Sequence, residues 1–379
     1  MFHSVGNAQS SWYRNWLSTD LNQFEVFCKY LKRKNYKTIL LEEWYQLENT
    51  PQKNTNKEVV LTFDDGFLDN WVFVYPILKK YGLKGTVFIN PEFVDCSTNV
   101  RKNIEDVWNK RCLQEDIQTL GYLNWTEIKT MDSDRILDVQ SHSMSHNFYF
   151  YSDKVVDIFT GQQKYDWMPW ISHPELKPDS LTNSQLDLIT KGTPVFSNYR
   201  ALGLRRYFPD DELVVKSIEY YHKYEDKKKT IEFVNSLLPK YPGKFESDED
   251  MESRYRYELI ESKRILEEKL DKRVQFLCWP GGGYNELAIK ISKEAGYIAS
   301  TIASREKTQD VDNSQSYKRI QRFGMGSFVT TSKRRRLVKS KKYLVENFLG
   351  RTGSFFYLNL SRARKLSYMI FDFFCIKDD

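Results

Sequence analysis

Two adjacent carboxylates, Asp64 and Asp65, close the apolar run VVLTFDDG from Val59 to Gly66. A short β-branched run ended by a turn signal reads as a buried strand. Neighbouring strand side chains point to opposite faces, so the pair can share a site only at the strand's carboxyl end, where Gly66 lets the backbone bend. Carboxylates at the mouth of a buried strand are costly unless neutralised, and a divalent cation is the obvious partner. An Asp-Asp-Gly turn capping the next helix is the plainer reading of the same letters. A second stretch, DVQSHSMSH from Asp138 to His146, sets His142 and His146 four residues apart, so one helical turn, or an equivalent loop, aims both imidazoles the same way. Imidazole suits zinc and the neighbouring transition metals, with a carboxylate as a common third ligand. Three protein ligands leave a position for water, as in catalytic rather than structural zinc. The chain has only five histidines, so two at ligand spacing outweigh a chance surface pair. A third stretch, VQFLCWPGGGYN from Val274 to Asn285, has a proline and three glycines that let backbone N–H groups approach a ligand. It also reads as a strand-to-helix turn with Asn285 near the helix start.

The elements that must position these residues follow from periodicity. Leu21, Phe24, Phe27, Cys28 and Leu31 predict a helix over Asp20 to Lys34 with Asp20 as its N-cap. Strands are predicted over Tyr36 to Leu41, Gly85 to Asn90, Tyr297 to Ile302 and Lys318 to Phe323, and a helix over Asn70 to Tyr81 ended by Gly82. Alternating strands and helices predict a parallel α/β sheet or barrel, with sites at the carboxyl ends of strands. Helical patterns also recur near Asp211 to Tyr224 and Thr230 to Leu238, in a stretch where His173 reads as a surface residue.

The order TFDDG, then His-Ser-x-x-His, then an apolar strand ending in Pro-x-Gly resembles the polysaccharide deacetylases of carbohydrate esterase family 4, the NodB-homology domain. The resemblance covers roughly Met1 to Phe150 and Tyr255 to Phe323; NWTEIKTM (Asn124 to Met131) and ELIESKRILEEKL (Glu258 to Leu270) look like the family's helices before the second and third motifs. It implies a distorted (β/α)7-type barrel over residues 1–330; the stretch at about 148–253 fits that core poorly and reads as a long helical insertion over the rim of the site, and residues 331–379 read as a basic, amphipathic tail. It implies Asp65, His142 and His146 as metal ligands, Asp64 as the base acting on the metal-bound water, and the Gly281 N–H as a partner of the oxyanion. The metal expected is zinc, with cobalt or nickel as alternatives. Family members protonate the leaving amine with a histidine, commonly near the domain's carboxyl end, yet no histidine follows His222 here. The opening Met1-Phe2-His3-Ser4-Val5-Gly6 is similar to a circularly permuted subgroup with an amino-terminal acid, which makes His3 the candidate general acid. Better-known members carry an arginine just before the third-motif proline, where it orients the base. Leu277, Cys278 and Trp279 stand there instead, so a partner for Asp64 must come from elsewhere.

With 40% hydrophobic and 28% charged residues, the 379-residue chain has the balance of a folded soluble protein. Its 15% aromatic content suits either sugar stacking or core and interface packing. Five scattered cysteines with no Cys-x-x-Cys pair argue for free thiols and a reducing compartment. No run long enough to span a bilayer and no basic-then-apolar leader is visible, so a cytoplasmic protein, at the inner face of the membrane, is expected. The tail run SKRRRLVKSKK (Ser332 to Lys342) and the aromatic stretch Ser354 to Ile376 resemble a segment that lies on an anionic membrane surface. A solvated charge run and a helix packed back on the barrel fit them too. A net charge of only +6, with no nucleic-acid motif, argues against nucleic acid. The function expected is removal of N-acetyl groups from an acetamido sugar in a polysaccharide or glycan precursor. The alternatives are a catalytically silent glycan-binding module and a metal-dependent hydrolase of another, non-peptide amide.

Overall fold

The computed structural model describes residues 1–50, 57–302, 317–331 and 334–374, with side chains to residue 370. Ser332, Lys333, Cys375 and Ile376 of the tail lie outside the described residues. The chain divides into two compact units, one of Met1–Ile89, Val94–Gln140 and Arg322–Asp379, the other of Asn90–Phe93 and Ser141–Gln321.

Six strands, β1 (Thr62–Phe63), β2 (Gly85–Ile89), β3 (Leu137–Ser141), β4 (Phe276–Leu277), β5 (Ala299–Thr301) and β6 (Lys318–Ile320), are hydrogen-bonded into a sheet in that order. β1 and β2 belong to the first unit and β4 to β6 to the second, and β3 runs up to the boundary, its Ser141 pairing with Leu277 of β4. The pairs β1–β2, β3–β4, β4–β5 and β5–β6 are parallel, as the α/β expectation requires.

In the first unit the helix Leu21–Arg33 is capped by Asp20, whose carboxylate accepts the Gln23 N–H at 3.0 Å, and it buries Phe24, Phe27, Cys28 and Leu31. The expected Tyr36 to Leu41 strand shrinks to Lys37–Thr38, because the Leu40 N–H is taken by the Glu43 carboxylate at 2.8 Å and Leu41 opens a helix. The VVLTF run changes partners on the way: Glu58–Val59 pairs with Lys37–Thr38, and Thr62–Phe63 with β2. The expected Asn70 to Tyr81 helix opens with one π-turn, Asn70–Val74, and ends at Gly82, φ 63°. Within this unit the tail folds back. Phe348 of the helix Tyr343–Arg351 packs edge-on against Phe27 and Tyr36, and the helix Phe355–Phe374 follows.

In the second unit the insertion holds more than helices. Phe148–Ile158 pairs antiparallel with Pro194–Arg200, and Val155, Ile158 and Phe196 share a core with Leu213 and Val234 of the helices Asp211–Tyr224 and Lys227–Leu237. The helix before the third motif starts earlier than expected, at Asp248, and passes through a π-turn at Tyr257–Glu261 before Ser262–Leu270. Asn285 caps the helix Glu286–Glu294 by accepting the Ala288 N–H at 3.0 Å.

Candidate active site

In the first unit the amino-terminal segment lies against β1 like an added strand. The Phe2 N–H donates to the Thr62 carbonyl at 2.8 Å, and the Asp64 N–H donates to the Phe2 carbonyl at 3.0 Å. The Phe2 ring is buried against Phe63 and Phe24, each with ring centres 5.4 Å away. Burying such a ring contributes about 1.5–3 kcal/mol, enough to pin the segment. Alternation along the segment turns His3 away from Phe2, and its Nε2 lies 4.0 Å from Asp64 Oδ2. The His3 carbonyl accepts from Asn70 Nδ2 at 3.0 Å, and Asn70 also donates to Asp69. Ser4 Oγ and Asn7 Nδ2 donate to that carboxylate as well. Burial pushes the Asp69 carboxyl up to about 7, against the bonds it accepts.

Asp64 is held by a residue that sequence reasoning missed. Arg322 grips it with both arms, Nη1 to Oδ1 at 2.7 Å and Nη2 to Oδ2 at 2.9 Å, and Nη1 also donates to Thr62 Oγ1 at 3.1 Å. The side chains are 12% and 4% exposed, so solvent screens this pair little. The guanidinium sits 5.4 Å over the Phe88 ring of β2. Arg322 follows β6 by two residues, at a strand's carboxyl end, which is where the fold class places functional groups. The missing arginine before Pro280 was the signal that such a residue had to exist. Asp65 itself takes the left-handed conformation, φ 75°, so the bend begins one residue before Gly66.

In the second unit His142 and His146 lie in a loop, with ring centres 5.2 Å apart. His142 Nδ1 is 2.8 Å from the Cys278 carbonyl, an arrangement in which Nδ1 carries the proton and Nε2 keeps its lone pair. Asn90 Nδ2 donates to the His142 and Ser143 carbonyls. Buried Glu258, presented by the π-turn, accepts from the Met144 N–H at 3.1 Å, the Ser145 N–H at 3.0 Å and Ser145 Oγ. Lys177, from the insertion, is buried beside the same loop. Its Nζ donates to the Ser145 carbonyl at 2.9 Å and pairs with Glu92, and desolvation lowers its pKa.

A Glu258→Ala variant should lose about 3 kcal/mol in urea unfolding, because two N–H groups and a hydroxyl lose their acceptor. If the histidine loop holds a cation, affinity for it, read by titration, should fall roughly 10–100-fold when that support is removed. Glu258→Gln should restore most of both.

Gly281 has φ 52°, a left-handed backbone that favours glycine, and a Cβ there would overlap the Arg200 guanidinium. Arg200 ends the insertion's strand Pro194–Arg200 and stacks 4.3 Å over Phe148, so the insertion reaches the third motif. His173 is a surface residue bonded to Glu175.

Of the eight non-glycine residues with positive φ among those described, Asn35, Lys110, Arg135, Glu225 and Asp271 sit at or just past helix ends. The other three are Asp65, Ser143 and His146, in the two motifs. Left-handed backbone costs such residues of order 1–3 kcal/mol and clusters at functional sites.

Residues 51–184, which include the carboxylate pair and both histidines, match the family model described as polysaccharide deacetylase. The chain carries a polysaccharide deacetylase domain. The chain is 36% identical over 89 residues to YxkH of Bacillus subtilis (strain 168), provisionally named a polysaccharide deacetylase; the match spans 24% of this chain and 30% of that relative's length. Among solved structures, a de-N-acetylase from Aggregatibacter actinomycetemcomitans aligns with a TM-score of 0.51 at 16% identity, over 84% of this chain and 91% of the other. The deacetylase domain of BpsB from Bordetella bronchiseptica aligns with a TM-score of 0.47 at 14% identity, over 79% and 83%. The Aggregatibacter likeness shows that the chain shares its fold with that enzyme.

Proposed function

We propose that the protein hydrolyses the N-acetyl group of an acetamido sugar in a polysaccharide or glycan precursor, with a divalent cation held by Asp65, His142 and His146. The observation that carries this reading is the His142–Cys278 hydrogen bond, which leaves Nε2 as the atom to meet a cation. The donor set of two imidazoles and one carboxylate suits zinc, with cobalt or nickel as alternatives. When bound, such a cation lowers the pKa of its water towards neutrality and polarises the acyl carbonyl.

The chain's own residues supply the rest. Asp64, oriented by Arg322, takes a proton from the attacking water, whose oxygen bonds to the acetyl carbon. The Gly281 N–H donates to the carbonyl oxygen as negative charge develops there. The C–N bond then breaks, and His3 gives a proton to the departing nitrogen, so that acetate and an amino sugar leave. The cytoplasmic placement belongs to the same proposal.

The test is acetate release from N-acetylglucosamine oligomers and from glycan precursors. Chelator-stripped protein should release none, and zinc or cobalt should restore release. A reloaded protein that holds the metal and releases no acetate from either source would overturn the assignment in favour of glycan binding without catalysis.

A further inference from the structure

We propose that the outward face of the Phe355–Phe374 helix docks on an anionic membrane surface, a property independent of the catalytic reading above. The helix is held along one side. Arg364 pairs with Glu346 at 2.7 Å and lies 5.0 Å over the Tyr343 ring, and Tyr368 packs against Val329, Val338 and Tyr343. At about 100° per residue, Arg364 and Tyr368 fall on one face, and Phe355, Leu366, Met369 and Ile370 fall in an arc of about 100° on the opposite one. That second face is open to solvent: Phe355 and its neighbour Phe356 are 74% and 70% exposed, and Leu366, Met369 and Ile370 are exposed too.

Lipid, a second copy or another protein would each cover an apolar helix face, and charge selects among them. Residues 331–379 contain twelve Lys and Arg against four acidic residues, Asp372, Asp378, Asp379 and Glu346, the last already neutralised by Arg364. The segment's net +8 exceeds the +6 of the whole chain, so the remainder is net negative. A second copy would bring the same positive charge to the interface, whereas anionic headgroups complement it. Arg362 lies within the apolar arc and Lys365 at its edge, both exposed. Their long stems can lie along acyl chains while the charged ends reach the headgroups. Binding is to the surface: no described helix is long and apolar enough to cross a membrane.

The full-length protein would be sedimented with vesicles of phosphatidylcholine alone and of phosphatidylcholine mixed with phosphatidylglycerol, at low and high salt. Binding to the mixed vesicles only, weakened by salt, is expected. Phe355→Ser/Phe356→Ser and, separately, Met369→Ser/Ile370→Ser should each abolish it. Arg362→Ser/Lys365→Ser should weaken it roughly thirtyfold, at about 1 kcal/mol per basic residue. All these positions are exposed, and circular dichroism should show unchanged helix content. No binding to the mixed vesicles, or equal binding to both kinds, would overturn the proposal. So would a concentration-dependent dimer, seen by light scattering, that the apolar variants convert to monomer without any lipid binding.

Discussion

Asp64→Asn should lower kcat for deacetylation by about 10³-fold or more, with KM little changed, because it removes the proposed base and leaves the proposed ligands intact. Arg322→Met should lower kcat by roughly 10²-fold, since Arg322 acts through Asp64. In the double variant the Arg322 change should add almost nothing to the loss from Asp64→Asn, which is what a double-mutant cycle measures. Stability should behave differently. Removing one partner of a buried ion pair strands the other, at a cost of about 3–5 kcal/mol, so Arg322→Met alone should unfold earlier in urea than the double variant. Arg322→Lys should recover stability better than rate, because an ammonium restores the charge and not the two-armed grip on both carboxylate oxygens. If the Arg322 and Asp64 effects on kcat simply multiply, Arg322 does not work through Asp64.

His3→Ala should cost about 10²–10³-fold on an acetamido substrate, and the loss should depend on the leaving group. An amine must be protonated as it departs, whereas a nitrophenolate leaves without help. Activity of the zinc-loaded variant towards 4-nitrophenyl acetate should therefore stay within a few-fold of the unaltered protein. Equal losses on both substrates would mean that His3 matters for holding Asp64 or the segment, 4.0 Å away from the carboxylate, and not as an acid.

What the sequence discloses and what it conceals divides along the range of the interactions. The carboxylate pair, the histidine pair and the Pro-Gly-Gly-Gly turn are each local, and their chemistry is written in a handful of consecutive letters. The Asp20 and Asn285 caps were legible for the same reason. Arg322 was not, because 258 residues separate it from Asp64 and its neighbours Gln321 and Phe323 form no pattern. Only the missing arginine before Pro280 signalled that a substitute had to exist. Glu258 and Lys177 look like ordinary helix-surface charges until the fold buries them beneath the histidine loop. The π-turns that begin at Asn70 and Tyr257 escape any reading based on a 3.6-residue period, since one extra residue in a turn leaves the apolar pattern almost unchanged. In the insertion, the aromatic and β-branched run FYFYSDKVV marked a strand, but the charges within it and the helical patterns that follow drew the reading towards helix.

The left-handed residues have a consequence for anyone recoding this scaffold for heat resistance. At helix ends, glycine takes up a left-handed backbone without steric penalty, so Lys110, Arg135, Glu225 and Asp271 offer substitutions that touch no proposed chemistry. The same substitution logic applied at Asp65 or His146 would relax the backbone while removing a proposed ligand. A library that ranks positions by backbone discomfort alone would thus mix the safest sites in the molecule with the most damaging ones, and the two motifs have to be fixed before such a search begins.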